Sequence, residues 1–187
     1  MPGPIEFSTE RLRLRQWNSS DVEPFAALNA DPRVMEFFPS VLTPEASAAM
    51  VEYLKAQIEE RGWGLWVAQL LESGHFIGFV GLHLPAVALP FGHCVEVGWR
   101  LAFSHWGKGL ASEAARGALR VGFEQLKLPE IVSYTAVGNL RSRAVMARLS
   151  MHNAEKNFEH PNVPEGSPVR EHCLYRLSQA QWRSNGT

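Results

Sequence analysis

The 187-residue sequence has little of what marks secreted, disulfide-rich or membrane-spanning proteins. Its two cysteines, Cys94 and Cys173, form no CxxC pair, so the sequence offers no disulfide framework. No stretch reaches the roughly 18 to 20 apolar residues that cross a bilayer, and the N-terminal residues lack the apolar core of a signal peptide. We therefore expect a cytoplasmic protein with no membrane partner, in which both cysteines serve as small buried hydrophobic side chains.

Lysine and arginine form no long run, and the formal net charge is -1. Proteins whose main partner is nucleic acid usually present a basic surface, so we expect no nucleic-acid partner, although a local basic site for a phosphorylated ligand stays possible. The seven histidines show no convincing metal-ligand spacing, and we expect no metal. A hydrophobic content of 45% suits a single domain, residues 1–187, with a sizeable core.

Hydrophobic periodicity and turn signals predict a mixed α/β domain. Strands are expected at 11–17, 64–72, 75–84, 95–101, 130–137, around 152–160, and at 171–177. Helices are expected at 19–32, 42–62, 109–126 and 139–150; Thr43 would cap the second helix and Gly62 would end it. This order lacks the strict strand–helix alternation of a dinucleotide-binding fold.

The stretch HWGKGLASEAARGAL, residues 105–119, places Gly107 and Gly109 on either side of Lys108, just before a predicted helix. A helix N-terminus carries unpaired N–H groups and partial positive charge, and glycines let a ligand approach the backbone closely. The pattern predicts an anion site, most often for phosphate, although a merely flexible turn would have the same sequence pattern. The spacing matches neither a P-loop nor a dinucleotide-binding fingerprint.

With its surroundings, VGWRLAFSHWGKGLASEAARGAL, this stretch resembles the acetyl-coenzyme A segment of the GNAT N-acetyltransferase superfamily. TERLRLRQW, VGLHL and NLRSRAVMARLSM occur in the expected order. Trp106 replaces the usual Gln or Arg, as is common in the branch of the ribosomal-protein N-terminal (alanine/serine) acetyltransferases. The resemblance implies a three-layer α+β fold: a central, mostly antiparallel seven-stranded sheet, helices on both faces, and splayed fourth and fifth strands.

The resemblance also implies acetyl-coenzyme A as cosubstrate. Its pyrophosphate would bind the backbone N–H groups of Trp106, Gly107, Lys108, Gly109, Leu110 and Ala111. Its pantetheine arm would lie between strands 95–101 and 130–137 and bond the free edge at Val97, Gly98 and Trp99. Asn139 and Ser142 match positions near this arm, although a helix cap alone would explain Asn139.

Acetyl transfer to an amine needs a base, stabilisation of the thioester oxygen, and a proton for the departing thiolate. Glu96, on the strand beside the thioester, is the candidate base; a surface glutamate is the alternative. Backbone N–H groups at Val97 and Gly98 could polarise the carbonyl. Many family members have a tyrosine that acts as the general acid where this chain has Met146. Methionine cannot donate a proton, so Ser142 or solvent is the candidate acid.

The acceptor side is expected from residues 33–43, 63–66 and 161–170. Their neighbourhood is rich in aromatic side chains that could equally be core: Phe37, Phe38, Trp63, Trp66 and Phe158. His83 and His160 could line the same cavity. The acceptor stays open between a protein or peptide N-terminus and a small amine, and the chain could be a monomer or a homodimer. A coenzyme A-binding sensor without catalysis and a structural module are the competing classes.

Overall fold

The computed structural model describes residues 3–185. Its strands are β1 (Phe7–Ser8), β2 (Leu12–Arg15), β3 (Leu65–Leu70), β4 (Phe76–His83), β5 (Glu96–Leu101), β6 (Glu130–Ala136), β7 (His152–Asn153), β8 (Phe158–Glu159) and β9 (Glu171–Ser178). Its helices are α1 (Val22–Ala30), α2 (Pro44–Arg61), α3 (Leu110–Arg120), α4 (Leu140–Arg148) and α5 (Gln179–Ser184). One sheet runs in the order β1-β2-β3-β4-β5-β6-β9-β7, with β8 also paired to β9.

The sheet is antiparallel except where β5 meets β6, and helices cover both of its faces. On one face, α2 comes so close to β3 that a Cβ on Gly64 would lie 2.6 Å from Ile58. On the other face, α3 packs equally close to Phe7, because a Cβ on Gly117 would lie 2.6 Å from the Phe7 ring. These close approaches seal a continuous core and confirm the mixed three-layer fold.

The expected strand count of seven is wrong, because the sheet that residues 3–185 form has nine strands. Phe7–Ser8 adds a short first strand opposite residues 13–14. The strand expected around 152–160 divides into β7 and β8, which pair with different parts of β9. The chain turns away between them, and Glu155 there has a left-handed φ of +53° that no strand accommodates.

Local capping signals located the second helix well. The Thr43 hydroxyl accepts the Ala46 N–H at 3.2 Å, and Gly62 ends α2 with φ +81°. The helix expected over 109–126 is less regular, because α3 gives way at Val121 to a π-helical segment, Val121–Gln125. The last helix, α5, was not expected; Ser178 and Gln181 form its capping box.

Ser150 follows α4 with φ +59°, a left-handed conformation that suits glycine. A residue with a Cβ therefore occupies a turn position that strains it. Both cysteines are free, with Cys173 buried and Cys94 only half-buried. Across residues 3–185, no helix has the length and apolarity needed to cross a membrane.

Candidate active site

The two central strands β5 and β6 separate soon after they meet. Val132 N–H donates to the Val95 carbonyl at 2.9 Å, and Glu96 opposite Val132 is their one register pair in the described chain. At the next step the Ser133 hydroxyl, in place of a backbone N–H, donates to the Val97 carbonyl at 2.9 Å. The strands therefore form a V-shaped gap that widens towards their C-terminal ends.

Trp99 presents its backbone to this gap. Ala102 N–H donates to the Ile77 carbonyl of the β4 side at 2.9 Å, so alternation turns the even-numbered β5 residues to β4 and the odd-numbered ones to β6. The Leu101 carbonyl accepts the Trp106 indole N–H at 2.8 Å. The register of β5 against β6 pairs no residue of β6 with Trp99 in the described chain.

Gly98 pairs with Gly81 of β4, so its N–H points away from the gap. The expectation that this N–H would serve a ligand in the gap is therefore wrong for the backbone as it stands. What Gly98 provides is open space, since a Cβ placed there would have only Glu96 Oε1 near it, at 3.8 Å. Of residues 97–99, Trp99 is the one whose backbone is free.

At the wide end of the gap, the glycine-flanked loop leads into α3. Gly107 and Gly109 have φ of +73° and +77°, and a Cβ on Gly107 would meet nothing within 4 Å. No side chain caps the N-terminus of α3, and the first helical bond runs from Glu113 N–H to the Gly109 carbonyl. The N–H groups of the first turn are therefore left uncapped, and anion binding by them stays a prediction.

Arg11 fixes this loop from the turn between β1 and β2. Its guanidinium donates to the Lys108 carbonyl at 3.0 Å and to Glu113 Oε2 at 2.7 Å. The Thr9 hydroxyl donates to Glu113 Oε1 at 2.6 Å, which completes the anchor. TERLRLRQW belongs to the family pattern, but this role of Arg11 could not be predicted from the sequence, because its partners lie about a hundred residues away.

A cleft of about 380 Å³ opens beside the loop. Its lining comes from the α1–α2 connection, from the segment after β5 and from the start of α4: Pro32, Arg33, Glu36, Phe103, Trp106 and Arg141. Arg141 pairs with Glu36, and its guanidinium carbon lies 4.6 Å from the Trp106 ring centre. Glu96, at the narrow end of the gap, is not part of the lining of this cleft.

Glu96 is 8% exposed, and its Oε2 lies 3.5 Å from Nε2 of His83 on β4. Burial raises the pKa of Glu96 to about 8, against a smaller lowering by hydrogen bonding with Tyr134. Burial, and then the nearby Arg61 charge, lower the pKa of His83 to about 4. The burial of Glu96 rules out the surface-glutamate alternative.

Tyr134 brings an aromatic cluster up to Glu96. Its ring centre lies 5.7 Å from those of Phe158 and His160, and 6.2 Å from that of Phe91. Phe158 and His160, both expected on the acceptor side, are therefore near the candidate base. Trp66 is not: it is fully buried on the opposite face of the sheet, where its ring packs against Phe7.

Arg100 lies on the same face of β5 as Glu96, and the sequence analysis did not single it out. Its guanidinium donates to Asn29 Oδ1 at 2.7 Å and sits 4.2 Å from the centre of the Phe38 ring. Burial lowers the pKa of Arg100 to about 10. Its Nε and the Nδ1 of His83 are the buried side-chain nitrogens without a hydrogen-bond partner in the described chain.

Asn139 joins β6 to α4. Its Oδ1 accepts the Ser142 N–H at 3.2 Å and its Nδ2 donates to the Thr135 hydroxyl at 3.0 Å, so the helix-cap reading is correct. Ser142 is half-buried one turn into α4, whereas Met146 is buried in the core. Within residues 3–185, no three His, Cys, Asp or Glu side chains gather as a metal-binding group.

Comparison with known proteins gives a consistent result. The family model described as "Acetyltransferase (GNAT) domain" matches residues 11–152. The chain is 29% identical over 181 residues to an FsC-acetyl coenzyme A-N(2)-transacetylase of Aspergillus fumigatus, a match that covers 93% of this chain and 76% of the relative.

Two solved structures share the fold. A GNAT-family acetyltransferase of Bacillus anthracis superposes with a TM-score of 0.78 at 25% identity, over 94% of this chain and 99% of the other. The ribosomal-protein-S5-alanine acetyltransferase of Vibrio fischeri superposes with a TM-score of 0.74 at 22% identity, over 95% and 98%.

Proposed function

This chain belongs to the GNAT acetyltransferase family and is an acyltransferase, and on that premise we propose that it moves an acetyl group from acetyl-coenzyme A to a primary amine by direct attack in a ternary complex. The observation that carries the proposal is the gap between β5 and β6. It leads from the α3 mouth, past the free backbone of Trp99, to the buried carboxyl of Glu96.

The residues at the wide end fit the coenzyme. The uncapped first turn of α3 and the open backbone at Gly107 suit a pyrophosphate, and Lys108 adds an exposed positive charge. Trp99 N–H and carbonyl supply one donor and one acceptor for an extended amide chain, as an added strand would use. Val97 contributes less, because its carbonyl already accepts from Ser133.

The residues at the narrow end fit proton removal from an amine. Acetyl-coenzyme A would supply an activated thioester there. Glu96, in its ionised form, would take a proton from the bound ammonium.

Protonation of the leaving thiolate is assigned to Ser142, whose N–H is held by Asn139 at the start of α4. Met146 has no proton to donate. The name of the Aspergillus fumigatus relative supports transfer to a nitrogen atom. The aromatic cluster around Tyr134 would form part of the acceptor wall.

Two measurements test the proposal. Coenzyme A should raise the melting temperature, and acetyl-coenzyme A with a panel of peptides and small amines should release free thiol. Glu96→Gln keeps the shape of the side chain but removes the base, so turnover should fall by about 10²-fold or more while coenzyme affinity holds. Higher pH should restore part of the rate, because more of the amine is then neutral.

Ser142→Ala belongs in the same assay and should lower turnover less, since solvent can also protonate a thiolate. A Glu96→Gln variant with wild-type turnover and an unchanged pH profile would remove Glu96 from the mechanism. The enzyme would then act mainly by positioning an already neutral amine.

A further inference from the structure

His83 lies beside Glu96 and also lines a small cavity. Nε2 lies 3.5 Å from Glu96 Oε2, and Nδ1 is buried without a partner in the described chain. Leaving a buried ring nitrogen unpaired costs free energy of about 1–3 kcal/mol, so its presence calls for an explanation.

The cavity has a volume of about 20 Å³ and lies between α2 and the end of β4. That is enough for one water molecule, which needs roughly 10–15 Å³ and a few polar partners. Its polar lining comes from α2 and from His83 itself, in the side chains Tyr53, Gln57, Arg61 and His83. Tyr53 is exposed, so the cavity lies close to solvent.

We propose that His83 is a positioning residue that carries protons from Glu96 to solvent through this cavity; the proposal rests on the assignment of Glu96 as the base. Glu96 sits at the closed end of the gap among Val97, Tyr134 and Cys94, and bound substrates would cover it further. A base in that place needs an outlet for the proton that it takes in each turnover.

The proton steps balance. An N–H bond of the bound ammonium breaks as an O–H bond forms on Glu96. That O–H bond breaks as the proton moves to Nε2 of His83, while the proton on Nδ1 leaves to water in the cavity. A ring flip or the reverse tautomeric exchange resets the imidazole. The second amine proton ends on the thiolate, so one proton reaches solvent in each turnover.

The charges around His83 keep its imidazole neutral. Arg61 on α2 and Glu96 on β5 are the charged groups that face it, and Tyr53 adds a neutral phenol. Burial and Arg61 keep the imidazole neutral near pH 7, so Nε2 is free to accept. Because Arg61 also lines the cavity, its positive charge disfavours a proton held on His83, so the proton has to pass through the ring without a lasting imidazolium.

His83→Gln tests the relay, because an amide can hydrogen-bond Glu96 but cannot pass a proton at neutral pH. At pH 7 we expect kcat to fall by about tenfold or more, with KM for acetyl-coenzyme A unchanged. Imidazole added at rising concentration should restore kcat in proportion. A structural defect would show no such rescue, and His83→Asn serves as the second variant if glutamine unfolds the protein.

The Glu96→Gln variant separates the two proposals. If Glu96→Gln is slow, imidazole should not rescue it, and Glu96→Gln/His83→Gln should be no slower, since both residues act in one path. A slow Glu96→Gln beside a His83→Gln that is fast, or slow without rescue, overturns the relay and leaves the base assignment standing. A fast Glu96→Gln overturns both.

Discussion

Arg11 and Glu113, separated by 102 positions in the sequence, form an ion pair in which Nε lies 2.7 Å from Oε2. Because Arg11 also holds the Lys108 carbonyl, this pair joins the β1–β2 turn, the glycine loop and the first turn of α3. The loop is therefore shaped before any ligand reaches it, and binding need not supply the cost of ordering it.

Arg11→Met should weaken coenzyme A binding by about 3- to 10-fold and leave the acceptor KM unchanged. The anchor is lost, but the α3 N-terminus remains, and exposed ion pairs contribute only about 0.2–1 kcal/mol each. Calorimetric titration with coenzyme A measures the change. Arg13→Met is the control, since Arg13 is similarly exposed and pairs with Glu6 away from the loop. Equal affinities in both variants would contradict the anchoring role.

Gly107→Ala should weaken coenzyme A binding by at least about tenfold, because its Cβ would occupy the open space over the loop. Gly62→Ala is a close control: φ is +73° at Gly107 and +81° at Gly62, and neither Cβ would touch protein. Both variants should therefore lose a similar stability, about 1 kcal/mol. Thermal melting measures the loss of stability that the two variants share, and calorimetry measures the loss of coenzyme A affinity expected of Gly107→Ala alone. Equal affinities of the two variants would contradict the proposal that the coenzyme binds this loop.

Ser150→Gly should stabilise the protein by about 1 kcal/mol, since glycine adopts the φ of +59° without strain. For a chain of this size the melting temperature should rise by about 2–4 °C. Ser73→Gly, at an exposed turn position outside the left-handed region, should give no gain. A Ser150→Gly variant that melts no higher than the wild type would show that the turn is already relaxed.

Relative to the wild type, the Glu96→Gln variant should become more stable as pH rises. The folded-state pKa of Glu96 is raised to about 8 from 4.5. Below pH 4.5 both states hold the proton; between 4.5 and 8 only the unfolded chain releases it, so wild-type stability falls with rising pH. The melting-temperature difference between variant and wild type should therefore grow from pH 5 to pH 9.

Glu113→Gln should behave in the opposite sense. Burial would raise the pKa of Glu113, but hydrogen bonds from Thr9 and Arg11 leave it lowered. The carboxylate thus stabilises the fold above pH 4.5, and that contribution is lost as pH falls through the lowered pKa. Parallel pH trends in the two glutamine variants would contradict the electrostatic account of Glu96.

Elements with strong local signals were predictable from the sequence. Thr43 and Gly62 delimit α2 through their own side chain and φ, and Gly109 marks the start of α3 in the same way. The two-residue strands β1, β7 and β8 could not be predicted, because they exist only through pairing with distant partners. The π-helical segment after α3 likewise could not be predicted, because the hydrophobic pattern of the sequence does not distinguish it from an α-helix.

The site divides along the same line. The glycine loop and Glu96 could be named from motif and alternation, whereas the neighbours of Glu96 depend on register. His83 faces Glu96 only because β4 and β5 pair in that frame, across a loop whose length does not fix it. Arg100 and Arg11 were missed for a similar reason, since their partners come from other elements.

The free backbone of Trp99 has a consequence for mutational scanning. Every residue except proline offers the same N–H and carbonyl, so a ligand that pairs with this position as a strand would does not read the side chain. Substitutions at 99 that spare the packing should leave recognition nearly intact. Proline is the exception, because it removes the N–H and cannot be repaired by any change in the partner. The part of the proposed binding site that residue 99 forms therefore consists of main-chain groups, which alanine scanning does not detect.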